Sequence, residues 1–168
     1  MGLLLKQLFA FIRLLNSDTG TYQLASGLAL GIVLGFSPFI SIQTFIILTI
    51  ILFFRVQIGA AFVSAFFFKF VAFLFDGPAD SLGRKILENP DFTPLFTQMY
   101  NMPLVPLTRF NNSIVMGSGV VGFLLAIPGF FVFTFLIRKY RETILVKIQD
   151  SKLMKAIKAT PFYNWYLK

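Results

Sequence analysis

The 168-residue chain contains no cysteine and no histidine. The first absence excludes disulfides, thiolate metal sites and cysteine nucleophiles, and the second excludes imidazole ligands and Ser-His triads. Acidic residues are scarce too, seven against fifteen Lys and Arg, and there is a single Trp. With most hydrolytic chemistry out of reach, the expectation is no enzyme, no cofactor and no metal. What the chain has in abundance is apolar surface. Hydrophobic residues make up 57 % of it, 23 of them Phe, well beyond the share of a soluble globular chain. At this length it is one domain. The expected fold class is all-α: a polytopic membrane protein with about four membrane helices, one pair of them a short broken or re-entrant hairpin, plus amphipathic N- and C-terminal helices.

The hairpin is read from residues 22–54. Tyr22 to Phe36 is 15 residues and Phe39 to Phe54 is 16, about 22 and 24 Å as helices. Each is short against a hydrocarbon core of about 30 Å, while one continuous helix of roughly 46 Å would overshoot it. Ser37 is placed to cap the second helix, and Pro38 suits its first position because its missing N–H would be unpaired there anyway. Ser37, Ser41 and Thr44 then recur at i, i+4, i+7 as a hydroxyl stripe, with Gln43 on a neighbouring face. Lipid offers such groups no partners. They read either as an anion pocket at a helix N-terminus, suited to a lipid phosphate, or as an interfacial tip whose hydroxyls cap backbone. In the first helix Gly27, Gly31 and Gly35 recur every four residues and bare one face for close helix packing.

Residues 1–15 read as an interfacial helix carrying Lys6 and Arg13, a poor signal peptide because the bases interrupt the apolar run. Residues 58–75 are an apolar span with one charge, Lys69, which either snorkels to the headgroups or meets a phosphate or carboxylate. Asp76, seven residues on, would share its helical face. Residues 76–112 form an outward loop with short helices over 79–88 and 93–100. Asp76 and Asp80 stand at i, i+4, yet four acids among three bases read as a solvated loop. Residues 113–137 form a second long span, thinned by Gly117, Gly119 and Gly122 and expected to kink at Pro128-Gly129.

Residues 138–168 are a basic tail with eight Lys or Arg and two acids. Lys147, Lys155 and Lys158 form a membrane-surface stripe, and Phe162, Tyr163, Trp165 and Tyr166 an aromatic anchor. Because the tail follows a span and alternates with apolar residues, it argues for anionic lipid and not for nucleic acid. The positive-inside bias puts both termini in the cytoplasm, with the hairpin tip and the acidic loop outward.

The stretch GLALGIVLGFSPFISIQT resembles the hallmark of an uncharacterised bacterial inner-membrane family, a Gly-rich helix followed by a Gly-Phe-x-Pro turn and a Gln-Thr pair. Asp76-Gly77-Pro78 with Leu82-Gly83, and MYNMPLVPLTRFNNSIVMGS from Met99 to Ser118, resemble a small-protein branch of it. Where the broader family carries Asn-Pro, this chain has Ser64-Ala65-Phe66-Phe67-Phe68-Lys69. The resemblance implies a subunit role beside a large envelope protein. Two functions are expected. One is a lipid transport or handover subunit, binding phospholipid headgroups near Ser37, Ser41, Gln43, Thr44 and Lys69 and docking a large periplasmic partner. The other is a structural anchor or assembly factor whose glycine faces dock another protein or a second copy.

Overall fold

A computed structural model describes residues 2–145. Lys147, Lys155, Lys158 and the aromatic run from Phe162 lie outside the described residues. These form seven α-helices: α1 Leu3–Leu15, α2 Thr21–Phe36, α3 Ile42–Phe53, α4 Ile58–Phe73, α5 Asp76–Leu87, α6 Thr93–Tyr100 and α7 Ser113–Lys139. A 3-10 turn, Val105–Thr108, precedes α7, and a π-helical turn, Tyr140–Leu145, carries it on. No strand occurs among the described residues, so the fold is all-α.

The core is built on α2. Ten of its sixteen residues are buried, among them Leu24, Leu28, Ile32 and Val33, so it has almost no outer face. Its glycines let α4 lie against it. A Cβ on Gly31 would stand 2.4 Å from the Ala61 carbonyl oxygen, a distance no side chain tolerates. Gly27 meets Gln57 and Ala60, and Gly35 meets Ala65 and Phe68. Partner numbers rise together along this seam, so α2 and α4 run parallel.

Helix α7 runs the opposite way, with Gly122 against Val33 and Phe36 and the Phe130 ring stacked 6.3 Å from that of Tyr22. Helix α3 folds back along α2, burying Ile47 and Ile51 against Val33. The base of this hairpin is closed where Gln57 N–H donates to the Gln23 carbonyl at 3.1 Å.

Two local expectations are corrected. Helix α3 starts at Ile42, three residues later than expected, because Ser41 and not Ser37 is its N-cap: the Ser41 hydroxyl accepts the Thr44 N–H at 3.2 Å. Ser37 instead ends α2, and Pro38 lies in the break. The segment 58–75 is helical only to Phe73, and α5 turns away from α4 by 86°. Lys69 and Asp76 therefore do not share a helical face. Helix α7 carries Pro128 inside it.

Among the described residues one helix, Ser113–Thr143, is long and apolar enough to cross a membrane; α4 and α5 pass the same test only together across their bend, and α2 and α3 are shorter apolar helices. The arrangement has two chemically distinct ends. At one, the α1–α2 turn, Arg55 and residues 138–141 meet. At the other lie the break at residues 37–41, Lys69, α5 with its two acids and two bases, and the start of α7.

Candidate functional site at the hairpin break

The break begins where α2 runs out. Ser37 N–H closes the last turn on the Val33 carbonyl at 2.9 Å, and its extended backbone sends the chain away from the helix axis. Pro38 has no N–H to give, so its contribution is an acceptor. Its carbonyl takes hydrogen bonds from the Ser41 hydroxyl at 3.0 Å and the Thr44 hydroxyl at 2.8 Å. Those two hydroxyls also lie 3.1 Å apart. The result is a closed polar knot that fixes the start of α3 and leaves Phe39 and Ile40 as an apolar tip, Phe39 being 88 % exposed.

Gln43 leaves the knot and turns to α7. Its side-chain amide donates to the Val115 carbonyl at 3.3 Å. Gly119 makes room for it, since a Cβ there would stand 2.3 Å from the Gln43 amide nitrogen. Lys69 approaches from α4, and its ammonium donates to the Ser37 carbonyl at 3.3 Å. A cation at that carbonyl complements the negative end of the α2 dipole. Lys69 itself lies at the surface of the described residues.

Two polar atoms at the break have no partner among the described residues: Ser37 Oγ and Gln43 Oε1, both buried. Leaving a buried polar group unpaired costs about 1–3 kcal/mol. Ser37 is 2 % exposed, so water from the bulk does not relieve it. One orphan can donate and the other accepts.

The structure thus gathers Ser37, Ser41, Gln43, Thr44 and Lys69 around one break, in three roles: Ser41 and Thr44 cap and brace, Lys69 caps α2, and Ser37 with Gln43 keeps unused polar capacity. Gly27, Gly31 and Gly35 face α4, and Gly117 faces α5, where a Cβ would stand 1.8 Å from the Ala79 carbonyl oxygen. Sequence reasoning did not single out Gly119 as part of the site, or Val115, whose contribution is a backbone carbonyl that no side-chain pattern reveals. Among the described residues no group of acids could hold a metal ion.

At the opposite end, Arg141 ties the α1–α2 turn to the exit of α7. Its guanidinium donates to the carbonyls of Thr19 at 2.8 Å, Ser17 at 2.9 Å and Leu15 at 3.3 Å. Tyr140 adds a bond from its hydroxyl to Asn16 Oδ1 at 2.8 Å. Outside the hairpin, Asp80 on α5 accepts from the Ser113 hydroxyl and, at 3.0 Å, from Arg84 Nε. The Ser113 bond above all, with Arg84 beside it, holds the Asp80 carboxyl below its ordinary range.

The model of a family described as an uncharacterized protein conserved in bacteria matches residues 5–144, a stretch that runs from α1 to the turn after α7. An uncharacterized protein of Treponema pallidum (strain Nichols) is 28 % identical over 158 residues, covering 94 % of this chain and 98 % of its own. No solved structure matches.

Proposed function

The chain belongs to this bacterial family, DUF2062, and from that premise we propose that it is a small multi-pass subunit of the bacterial inner membrane that hands over phospholipid. Four apolar helices would be embedded: α4 and α7 as spans, with α2 and α3 as a short hairpin whose tip faces outward. The exposed surface supports this reading, since Phe45, Leu52, Phe53, Phe70, Phe73 and Phe131 all project from it. Apolar cover on that scale suits lipid better than water. The uneven charge supports the orientation, both termini cytoplasmic, with Arg55, Arg138, Lys139 and Arg141 at one end and Asp76 and Asp80 near the other.

A single observation carries the functional part: the buried, unpartnered Ser37 Oγ and Gln43 Oε1 at the break. Binding a phospholipid headgroup there requires the break to open, after which its phosphate oxygens would meet Ser37 and its hydroxyl or ammonium would meet Gln43. Lys69 stands next to Ser37 as the countercharge. The handover partner is a large periplasmic protein, docked against the outward segment 76–112. This function involves no reaction at the protein.

The alternative is a purely structural anchor or assembly factor, and one observation favours it: Lys69 is already engaged as the cap of α2. In that case the docking surface is not the glycine faces, because Gly27, Gly31, Gly35 and Gly117 are filled from within the chain. Purification from native membrane in mild detergent, with mass spectrometry of bound proteins and lipids, separates the two. Handover predicts a stoichiometric periplasmic partner with enriched phospholipid of one headgroup class. A partner without selected lipid would leave the anchor.

A further inference from the structure

A second feature lies at the end of the hairpin away from the break. Helices α2, α3 and α7 enclose an apolar groove of about 530 Å³, floored by Ala29 and Val33 and walled by Ile50, Ala126 and Ile127. On α2 it extends from Ser26 to Val33, about 10 Å by helix rise. The only charged residue lining it is Arg55, beside Val56 where α3 ends. Arg55 is exposed, and among the described residues it has no carboxylate partner.

A second guanidinium stands at the same end. Phe130, which lines the groove, stacks on Tyr22, and Arg138 lies 5.0 Å from the centre of that Tyr22 ring. Among the described residues Arg138 also lacks a carboxylate. The feature therefore combines an apolar trough with Arg55 at its mouth and Arg138 toward the same end on Tyr22, neither of them in an ion pair among the described residues. That pattern complements an amphiphile with a hydrocarbon tail and an anionic head.

We propose that this groove holds one acyl chain of an anionic phospholipid from the cytoplasmic leaflet, its phosphate beside Arg55 at the mouth. The inference rests on the membrane placement above and adds a lipid site distinct from the headgroup site at the break. Charge complementarity selects the occupant. An acyl chain alone would be satisfied anywhere on the apolar surface, but the Arg55 guanidinium at this mouth favours an anionic headgroup. The same site gives the protein a hold on the leaflet opposite to the one the hairpin tip reaches.

The test uses the full chain in nanodiscs containing trace phospholipid with a diazirine on the acyl chain, either phosphatidylglycerol or phosphatidylcholine, with crosslinked peptides mapped by mass spectrometry. Phosphatidylglycerol should label Leu30, Ala126 and Ile127 over phosphatidylcholine. Arg55→Gln should reduce that preference about fivefold, the effect of one basic residue at an anionic surface. Ile127→Trp, at an exposed position that tolerates the larger ring, should block labelling of Leu30 while the protein remains monodisperse.

Equal labelling by both lipids, or labelling indifferent to Arg55→Gln and Ile127→Trp, would overturn the proposal. So would protection of the groove by residues 146–168 of the same chain, read as intramolecular crosslinks. Labelling at Ile40 reports on the break instead. Its absence alongside selective groove labelling would remove the handover reading and leave this one standing.

Discussion

Gly31 and Ser64 face each other where α2 and α4 cross most tightly, a Cβ on the glycine falling 2.4 Å from that of the serine. The Ser64 hydroxyl donates to the Leu28 carbonyl at 2.7 Å, so the pair joins close approach to an interhelical hydrogen bond. Gly31→Ala should cost about 1–3 kcal/mol by overpacking. Ser64→Ala should cost roughly 0.6–2 kcal/mol for the lost bond. Thermal unfolding in detergent reads both, and unchanged midpoints would mean that the seam is looser than described.

The break makes an unusual prediction about stability. Because Ser37 Oγ has no partner, Ser37→Ala removes a buried unpaired hydroxyl and should leave the lipid-free protein as stable or slightly more so, within about 1 kcal/mol. The same variant should retain less phospholipid through purification. A stability loss well above that size would show that Ser37 is bonded after all, and that its polar capacity is not held for a ligand.

Asp80 gives the junction of α5 and α7 a pH dependence. Its carboxyl is held below the ordinary range by the Ser113 hydroxyl and Arg84. Its contribution is complete above the unfolded value of about 3.9 and is lost as pH falls through the lower folded value. Unfolding midpoints should therefore drop below about pH 4, and Asp80→Asn should flatten that drop. Parallel profiles for the two proteins would contradict the assignment.

Arg141 should hold the α1–α2 turn closed. Arg141→Ala removes charge-assisted bonds to the carbonyls of Leu15, Ser17 and Thr19, each worth about 1.5–3 kcal/mol where buried and less here, where the group is partly exposed. Protease cleavage between Asn16 and Gly20 should speed up. Arg141→Lys should rescue only part of this, since an ammonium lacks the planar fork that reaches several carbonyls. Full rescue by lysine would reduce the site to a point charge.

The apolar runs from Thr21 to Phe73 and from Ser113 to Lys139 were legible because continuous hydrophobic segments bounded by Ser, Asn and Pro leave few other structures. The four-residue glycine period was legible as a packing face, but spacing alone does not say which helix fills it. The start of α3 was misread because two capping signals compete. Ser37-Pro38 suits a helix start, yet Ser41 prevails because its hydroxyl reaches both Thr44 N–H and the Pro38 carbonyl. The bend after Phe73 was hidden by apolar residues continuing to Phe75. The Arg141 cluster was out of reach, since it joins residues 122 to 126 positions apart through backbone carbonyls.

The central claim is that the break at Ser37–Thr44 receives a phospholipid headgroup. Its most direct test is a phospholipid carrying a photoreactive headgroup, crosslinked to the protein in nanodiscs and mapped by mass spectrometry for the natural sequence, Lys69→Met and Gln43→Leu. Labelling should concentrate at residues 37–44 and on Val115 and be strongly reduced in both variants while insertion is intact. Labelling spread evenly over the outward surface, or unchanged in Lys69→Met, would contradict it and leave Lys69 as the cap of α2 alone.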